Sequence, residues 1–396
     1  MNEKIYWVWL QQVLGINTSI NSSEIVSYFG SAKSLYYAGE VEWRISGIFT
    51  SKQISKLSNQ DLSLAKNICD TCVKNNWQMV TPDDGNYPSM LFKLPNFPLV
   101  LYVNGDLDCL KNKIAIAVVG TRKPTLNSSK AARSLSASIS RSGAVVVSGG
   151  ALGIDSAAHI GALEAGGKTV AVLGCGFNCT YPVANIALRK QISENGVLVT
   201  EYPPDTQGLA KNFPIRNRII SGLSHGTLVI EAGERSGSLI TANFALEQGR
   251  DVFAVPGDIL FSGVTGANKL IRDGAKPVFN ALDVLEEYAL RFPELISLEN
   301  IESELKVSQS EDNKPAEAVR EKPQKKVELP QQKKPEPDGL SNDAMKIYRA
   351  FEGSSMQMEE LIMKTGLSVS AFACAMTELE LYDLVELQAG KNYKLK

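Results

Sequence analysis

What most constrains the fold of this chain is a recurrence of short apolar, β-branched runs between about residues 97 and 257. They are PLVLYVNG, IAIAVVG (114–120), AVVVSGG (144–150), TVAVLG (169–174), GVLVTEY (196–202), GTLVIEAG (226–233) and DVFAVPG (251–257). Helix-like stretches such as SSKAARSLSASISRSG, GIDSAAHIGALEAG and GSLITANFALEQG lie between them. A strand that is apolar on both faces must be covered on both faces, and strand–helix alternation supplies the cover. The pattern predicts an α/β fold: a Rossmann-like, doubly wound, mostly parallel sheet. Nearly every run ends in glycine, where an open parallel sheet presents its ligand crevice.

The flanks read differently. Over residues 1–75, Trp9, Val13 and Ile16 recur at helical spacing, and glycine turns at Gly30 and Gly39 separate short amphipathic stretches. A small helical domain of the SAM or helix-hairpin-helix type is expected there, followed by the Rossmann-like domain over 76–290. Residues 293–338 contain neither glycine nor aromatic residues and repeat proline among mixed charges. Such a composition cannot bury a core, so 291–338 reads as a disordered linker. Within 339–396, a helix start at Ser341, a turn at Gly366, a second helix from about Ser368 and a hairpin around Ala389–Gly390 predict a winged helix. Its second helix carries no Arg or Lys, which favours a protein contact or structural role over DNA reading. The start of the chain lacks a signal-peptide pattern, and no window approaches about 20 apolar residues. A cytoplasmic protein without a membrane partner is expected.

The net charge of -2 gives no global basic character, so any anion site must be local. Four elements offer one at the carboxyl ends of the strands. Gly120, Thr121 and Arg122 follow a buried strand, where glycine allows close approach and arginine can fork onto phosphate. Gly149 and Gly150 can form an anion nest, with Asp155 as helix N-cap. Lys211, Phe213, Arg216 and Arg218 put cations beside an aromatic ring, as phosphates and unstacked bases require. One of the two arginines is instead expected to pair with Glu201, Glu231 or Glu234. Ser236, Gly237 and Ser238 open a helix whose N-terminus suits a phosphate. The dinucleotide fingerprint GxGxxG is absent, and no cofactor, catalytic group or metal is assigned. Cys69 and Cys72, like Cys175 and Cys179, lack zinc-ribbon spacing and read as core or neutral cysteines; His159 and His225 read as packing or capping residues.

At these residues the chain resembles the DNA-processing protein A family (DprA, also called Smf). The segments are YPSML (87–91), LYVNGD (101–106), VVGTRKPT (118–125), VVSGGALGIDSAAHIGAL (146–163), TVAVLGCGFNCTYPVANIAL (169–188), FPIRNRIISGLS (213–224), EAGERSGSLITANFALEQGRDVFAVPG (231–257) and GANKLIRDGAKPV (266–278). The resemblance implies a non-enzymatic homodimer that binds single-stranded DNA without sequence preference. It also implies delivery of the strand to the recombinase RecA in natural transformation or recombination. It maps the DNA pocket onto Gly120, Thr121 and Arg122, with Arg216, Arg218 and Lys211 nearby, and the dimer and recombinase surface around Ile271 and Pro277. Two positions depart from some members: Val183 stands where a lysine can occur, and Lys211 lies one position nearer Phe213. The α/β part is also similar to nucleotide-phosphoribohydrolases (LOG) and molybdenum-cofactor carriers. That similarity implies, as an alternative, a hydrolase acting on nucleoside monophosphates. Its PGGxGTxxE glutamate has no counterpart here before Glu247.

Overall fold

The apolar runs form strands, and the alternating stretches form the helices between them. The computed structural model describes residues 3–16, 19–298, 340–351, 356–382, 384–388 and 392–395. The chain divides into two units, Met1–Pro315 and Ala316–Lys396.

The first unit begins with α1 (Lys4–Leu14), α2 (Ser22–Phe29), α3 (Ala32–Ile45), α4 (Ser51–Leu57) and α5 (Ser63–Lys74). Trp7, Trp9, Leu10, Leu35, Trp43 and Leu57 fill their core. That core does not stop at residue 75. Met79 of β1 (Gln78–Val80) and Tyr102 of β2 (Leu101–Gly105) belong to it, with Leu99 and Val100 between them. The Gln11 side chain donates to the carbonyls of Val100 and Glu201. The helices are thus built onto the edge of the sheet, because α1 presents a buried face too wide for its helical neighbours alone.

After α6 (Ser89–Phe92) the chain alternates: β3 (Ala115–Val119), α7 (Leu126–Arg141), β4 (Val145–Ser148), α8 (Ile154–Glu164), β5 (Thr169–Leu173), α9 (Ile186–Asn195), β6 (Val197–Thr200), α10 (Asn212–Gly222), β7 (Gly226–Val229), α11 (Gly237–Glu247), β8 (Asp251–Ala254), α12 (Thr265–Arg272), β9 (Lys276–Pro277) and α13 (Leu282–Arg291). The sheet order is β1-β2-β6-β5-β4-β3-β7-β8-β9. Strands β6 to β9 in that order pair in parallel, while β2 is antiparallel to both β1 and β6. Alternate residues feed opposite faces: Ala115, Ala117 and Val119 pack on one side, Ile114, Ile116 and Val118 on the other. From β3 the chain winds outward to β6, then returns through α10 to β7 on the other side of β3. The switch point is therefore between β3 and β7, where their carboxyl ends leave a crevice open.

The expected linker start at 291 shifts. Ile296 is buried with Leu295 against the sheet layer, and Ser297 N–H donates to the Ser142 carbonyl. The apolar ELISL segment has a surface to cover. The remainder of the expected linker, 299–338, lies outside the described residues.

The second unit contains α14 (Asn342–Ala350), β10 (Met356–Gln357), α15 (Met358–Thr365), α16 (Val369–Leu381), β11 (Val385–Gln388) and β12 (Asn392–Leu395). The wing is three-stranded, β10-β12-β11, one strand more than the hairpin expected from sequence. The expected hairpin turn at Ala389–Gly390 lies outside the described residues. Gly366 closes α15 in the left-handed region at φ 65°. Ser341 and Ser368 cap α14 and α16, each accepting from the backbone N–H three residues on.

Candidate functional site

Beyond the carboxyl ends of β3 and β7 lies a crevice of about 340 Å³. Gly120, Thr121 and Arg122 form one wall. Phe213, Arg216 and Asn217 of α10 form another, and Ser236, Gly237 and Ser238 close the third. A Cβ at Gly120 would fall 2.6 Å from the Ile154 side chain, so only glycine lets α8 pack against this strand end.

Arg122 is exposed, and its guanidinium carbon stands 5.1 Å from the Phe213 ring centroid. The Tyr181 ring flanks Phe213 at 5.6 Å. A cation and the Phe213 ring thus share one side of the crevice, and the Tyr181 ring continues that surface into the adjoining cleft, an arrangement that suits a base attached to a phosphate. Opposite them, Ser236 caps α11, its hydroxyl accepting from the Ser238 amide at 3.4 Å. Gly237 is exposed, and the helix turns its positive end toward the crevice. Asn217 donates to the Gly237 carbonyl at 3.2 Å, which ties α10 to this turn.

Arg216 reaches the crevice from below and is 3% exposed. Its Nη1 donates to the carbonyls of Gly149 and Val172, closing the ends of β4 and β5. Burial lowers its pKa to about 10, with Asp155 pulling the other way, so it remains a cation at neutral pH. Burial raises the Asp155 pKa, opposed by Arg216 and by the amides of Ala151 and Gly149.

Three expectations change at this point. Two amides of the Gly149–Gly150 turn are taken up by the chain itself: Gly149 and Ala151 N–H both donate to Asp155 Oδ2, at 3.1 and 3.3 Å. Asp155 is not the N-cap of α8 either. Gly153 holds that place, and Asp155 lies in the first turn, reaching back to the loop. Arg218 does not face the crevice. Positions two apart on a helix point away from each other, and Arg218, 1% exposed, donates to both carboxylate oxygens of Glu201 at 2.7 and 2.8 Å. Lys211 stands exposed at the start of α10, outside the crevice lining. Gly150 lies in the adjoining cleft with Arg122, Tyr181 and Phe213. Ile271 is half-buried on α12 and Pro277 exposed on β9, the edge strand of the sheet.

Tyr181 and Asn217 are the residues that sequence reasoning passed over. The signal for Tyr181 was its place in the GCGFNCTYP loop directly after a glycine-terminated strand. Asn217, between the two arginines, carried none. The histidines are structural: His159 bonds Thr169 at 2.7 Å, and His225 Nδ1 accepts from the Ala115 amide at 3.1 Å. Among the described residues, no group of three or more His, Cys, Asp or Glu could hold a metal ion. No described helix is long and apolar enough to cross a membrane.

A doubly wound parallel sheet with cations and a helix N-terminus gathered at its switch point defines a Rossmann-like protein with an electropositive crevice. Residues 78–289 match the sequence profile of the family described as DNA recombination-mediator protein A, and residues 331–391 that of the DprA winged helix domain. The chain belongs to this DprA/Smf family. It is 31% identical to protein Smf of Synechocystis sp. over 99% of each chain. It is 44% identical to DNA processing protein DprA of Bacillus subtilis over 51% of this chain and 68% of that one. The X-ray structure of DprA from Streptococcus pneumoniae is similar with a TM-score of 0.60 at 35% identity, covering 72% of this chain and 98% of that chain.

Proposed function

We propose that the protein binds single-stranded DNA without sequence preference, protects it, and passes it to the recombinase RecA in transformation or recombination. The observation that carries this reading is Arg122 beside Phe213, facing the N-terminus of α11 across one crevice, with Tyr181 extending the ring surface into the adjoining cleft. Phosphates meet Arg122 and the α11 amides, while bases find the two rings. The buried Arg216 charge adds attraction without direct contact. Ring stacking and phosphate contacts carry no base identity, so binding is sequence-tolerant. Delivery to a recombinase is supported by the recombination-mediator description of the family. In this reading the protein acts as a homodimer, with Ile271 and Pro277 at the partner surface. A strand spanning two crevices then gains avidity.

The protein is not an enzyme in this account. A phosphoribohydrolase needs a carboxylate beside the α11 N-terminus, but Glu247 ends that helix, roughly 15 Å away. Asp155, the carboxylate lining the crevice, is engaged by the loop amides. Reversing the charge at Arg122 tests the site. Arg122→Glu is expected to weaken oligothymidine binding by at least about 2 kcal/mol, since a charge-assisted contact becomes a repulsion. Wild-type affinity in that variant would remove Arg122 from the interface.

A further inference from the structure

Three of the four tryptophans serve the helical core. Trp7, Trp9 and Trp43 are fully buried, and they donate their indole N–H groups to Asp83 and to the carbonyls of Asn59 and Leu35. Trp77, directly before β1, differs from them. It is half-buried, and none of the described residues accepts from its indole N–H. Its ring stands 5.0 Å from that of Phe177, tilted by 60°, and Phe177 is half-buried too. An indole with an apolar face, a wet edge and an unused donor is a surface suited to a ligand.

The two rings line an open cleft of about 260 Å³ at the antiparallel edge of the sheet, together with Asn104 of β2 and Arg189, Lys190 and Ser193 of α9. Lys190 is exposed, and its contact with Glu194 is loose, at 3.9 Å. One short ridge in the β5–α9 loop separates this cleft from the one that adjoins the crevice. Cys175, Tyr181 and Pro182 line the crevice side with Arg122 and Phe213, while Phe177, Cys179 and Thr180 line the other. The chain itself holds the ridge. Gly176 N–H donates to the Thr206 carbonyl at 2.9 Å and Asn178 N–H to the Pro204 carbonyl at 3.0 Å. The buried Arg189 donates to the carbonyls of Cys179 and Tyr181 at 2.8 and 3.2 Å. From Phe177 to Tyr181 the backbone spans at most about 14 Å.

We propose that a single strand held at the crevice continues over this ridge into the second cleft, where Trp77 and Phe177 stack a further base and Lys190 meets its phosphate. The rings Phe213 and Tyr181 serve one side of the ridge, and Phe177 and Trp77 the other. Each side pairs flat apolar surface with a cation, Arg122 on the first and Lys190 on the second. That is the combination a strand without fixed sequence requires, since every base has a stacking face and every linkage a charge. The inference rests on the DNA reading above and extends it along the strand.

Because Trp7, Trp9 and Trp43 are sealed in the core, a ligand can touch only Trp77, and the full chain's own fluorescence reports on this cleft. Oligothymidines of increasing length are titrated, with the anisotropy of a labelled strand read for binding and tryptophan emission read for stacking. Strands long enough to cross the ridge are expected to quench the emission. They should also bind about tenfold tighter than strands that fill the crevice alone, the size of one stacked base. Trp77→Phe should keep this gain with length and lose the quenching. Trp77→Leu should lose both, and Lys190→Glu should shrink the gain. Binding without quenching at any length overturns the second platform and leaves the DNA reading standing, a result that depends on no variant folding. A gain with length that survives in Trp77→Leu overturns the platform as well. Binding at no length overturns both.

Discussion

Arg216 and Arg218 look equivalent in FPIRNRII, yet the turn of α10 sends them to different tasks. Arg216 caps the strand ends beneath the crevice, and Arg218 pairs with Glu201 where the helical part meets the sheet. A sequence shows the cluster, and that one arginine should pair with a nearby glutamate, but not which one, because it does not show which side of the helix faces out. The same limit hid Asp155 behind the Gly149–Gly150 turn: spacing cannot say whether a glycine nest holds a guest or the chain's own carboxylate. Arg218→Ala leaves Glu201 buried without its partner, which costs about 3–5 kcal/mol. Urea unfolding should show that loss. A variant as stable as wild type would mean that the pair does not hold the two parts together.

Among the elements, strands β2 to β8 and the helices between them were legible from the apolar runs, because a doubly covered sheet imposes its own pattern. Elements of two or three residues, β1, β9 and β10, were not, since such short pairings follow from tertiary contact rather than from a run of their own. Helix α8 adds a feature that no pattern announces. It buries His159 completely against β4 and β5, and burial, helped by the Arg216 charge, lowers the histidine pKa to about 3. The native state therefore refuses a proton that the unfolded chain accepts below about pH 6.5. Stability should fall as pH drops through 6.5, by about 1.4 kcal/mol per unit from this residue alone. His225, lowered by burial and by Arg250, adds in the same direction. Unfolding of wild type and His159→Gln at pH 7 and pH 5 checks this: the variant should lose less stability on acidification. An equal loss in both would remove His159 as a source.

For the whole molecule, the net charge of -2 gives the chain no general attraction for nucleic acid. Binding must come from the crevice, whose place at the carboxyl ends of the strands was legible from the glycine-ended runs, whereas its β3/β7 position needed the strand order. Its base platform was only half legible: Phe213 stood out beside the arginines, whereas Tyr181 arrives from another loop. A crevice that offers rings to unstacked bases should reject a duplex, whose bases are already stacked. The direct test is fluorescence anisotropy with a labelled oligothymidine and a duplex of equal length, each at several salt concentrations. The account predicts tight binding to the single strand, weak binding to the duplex, and a log–log salt slope near -0.7 for each phosphate neutralised. Equal affinity for the two, or binding to neither, would contradict it.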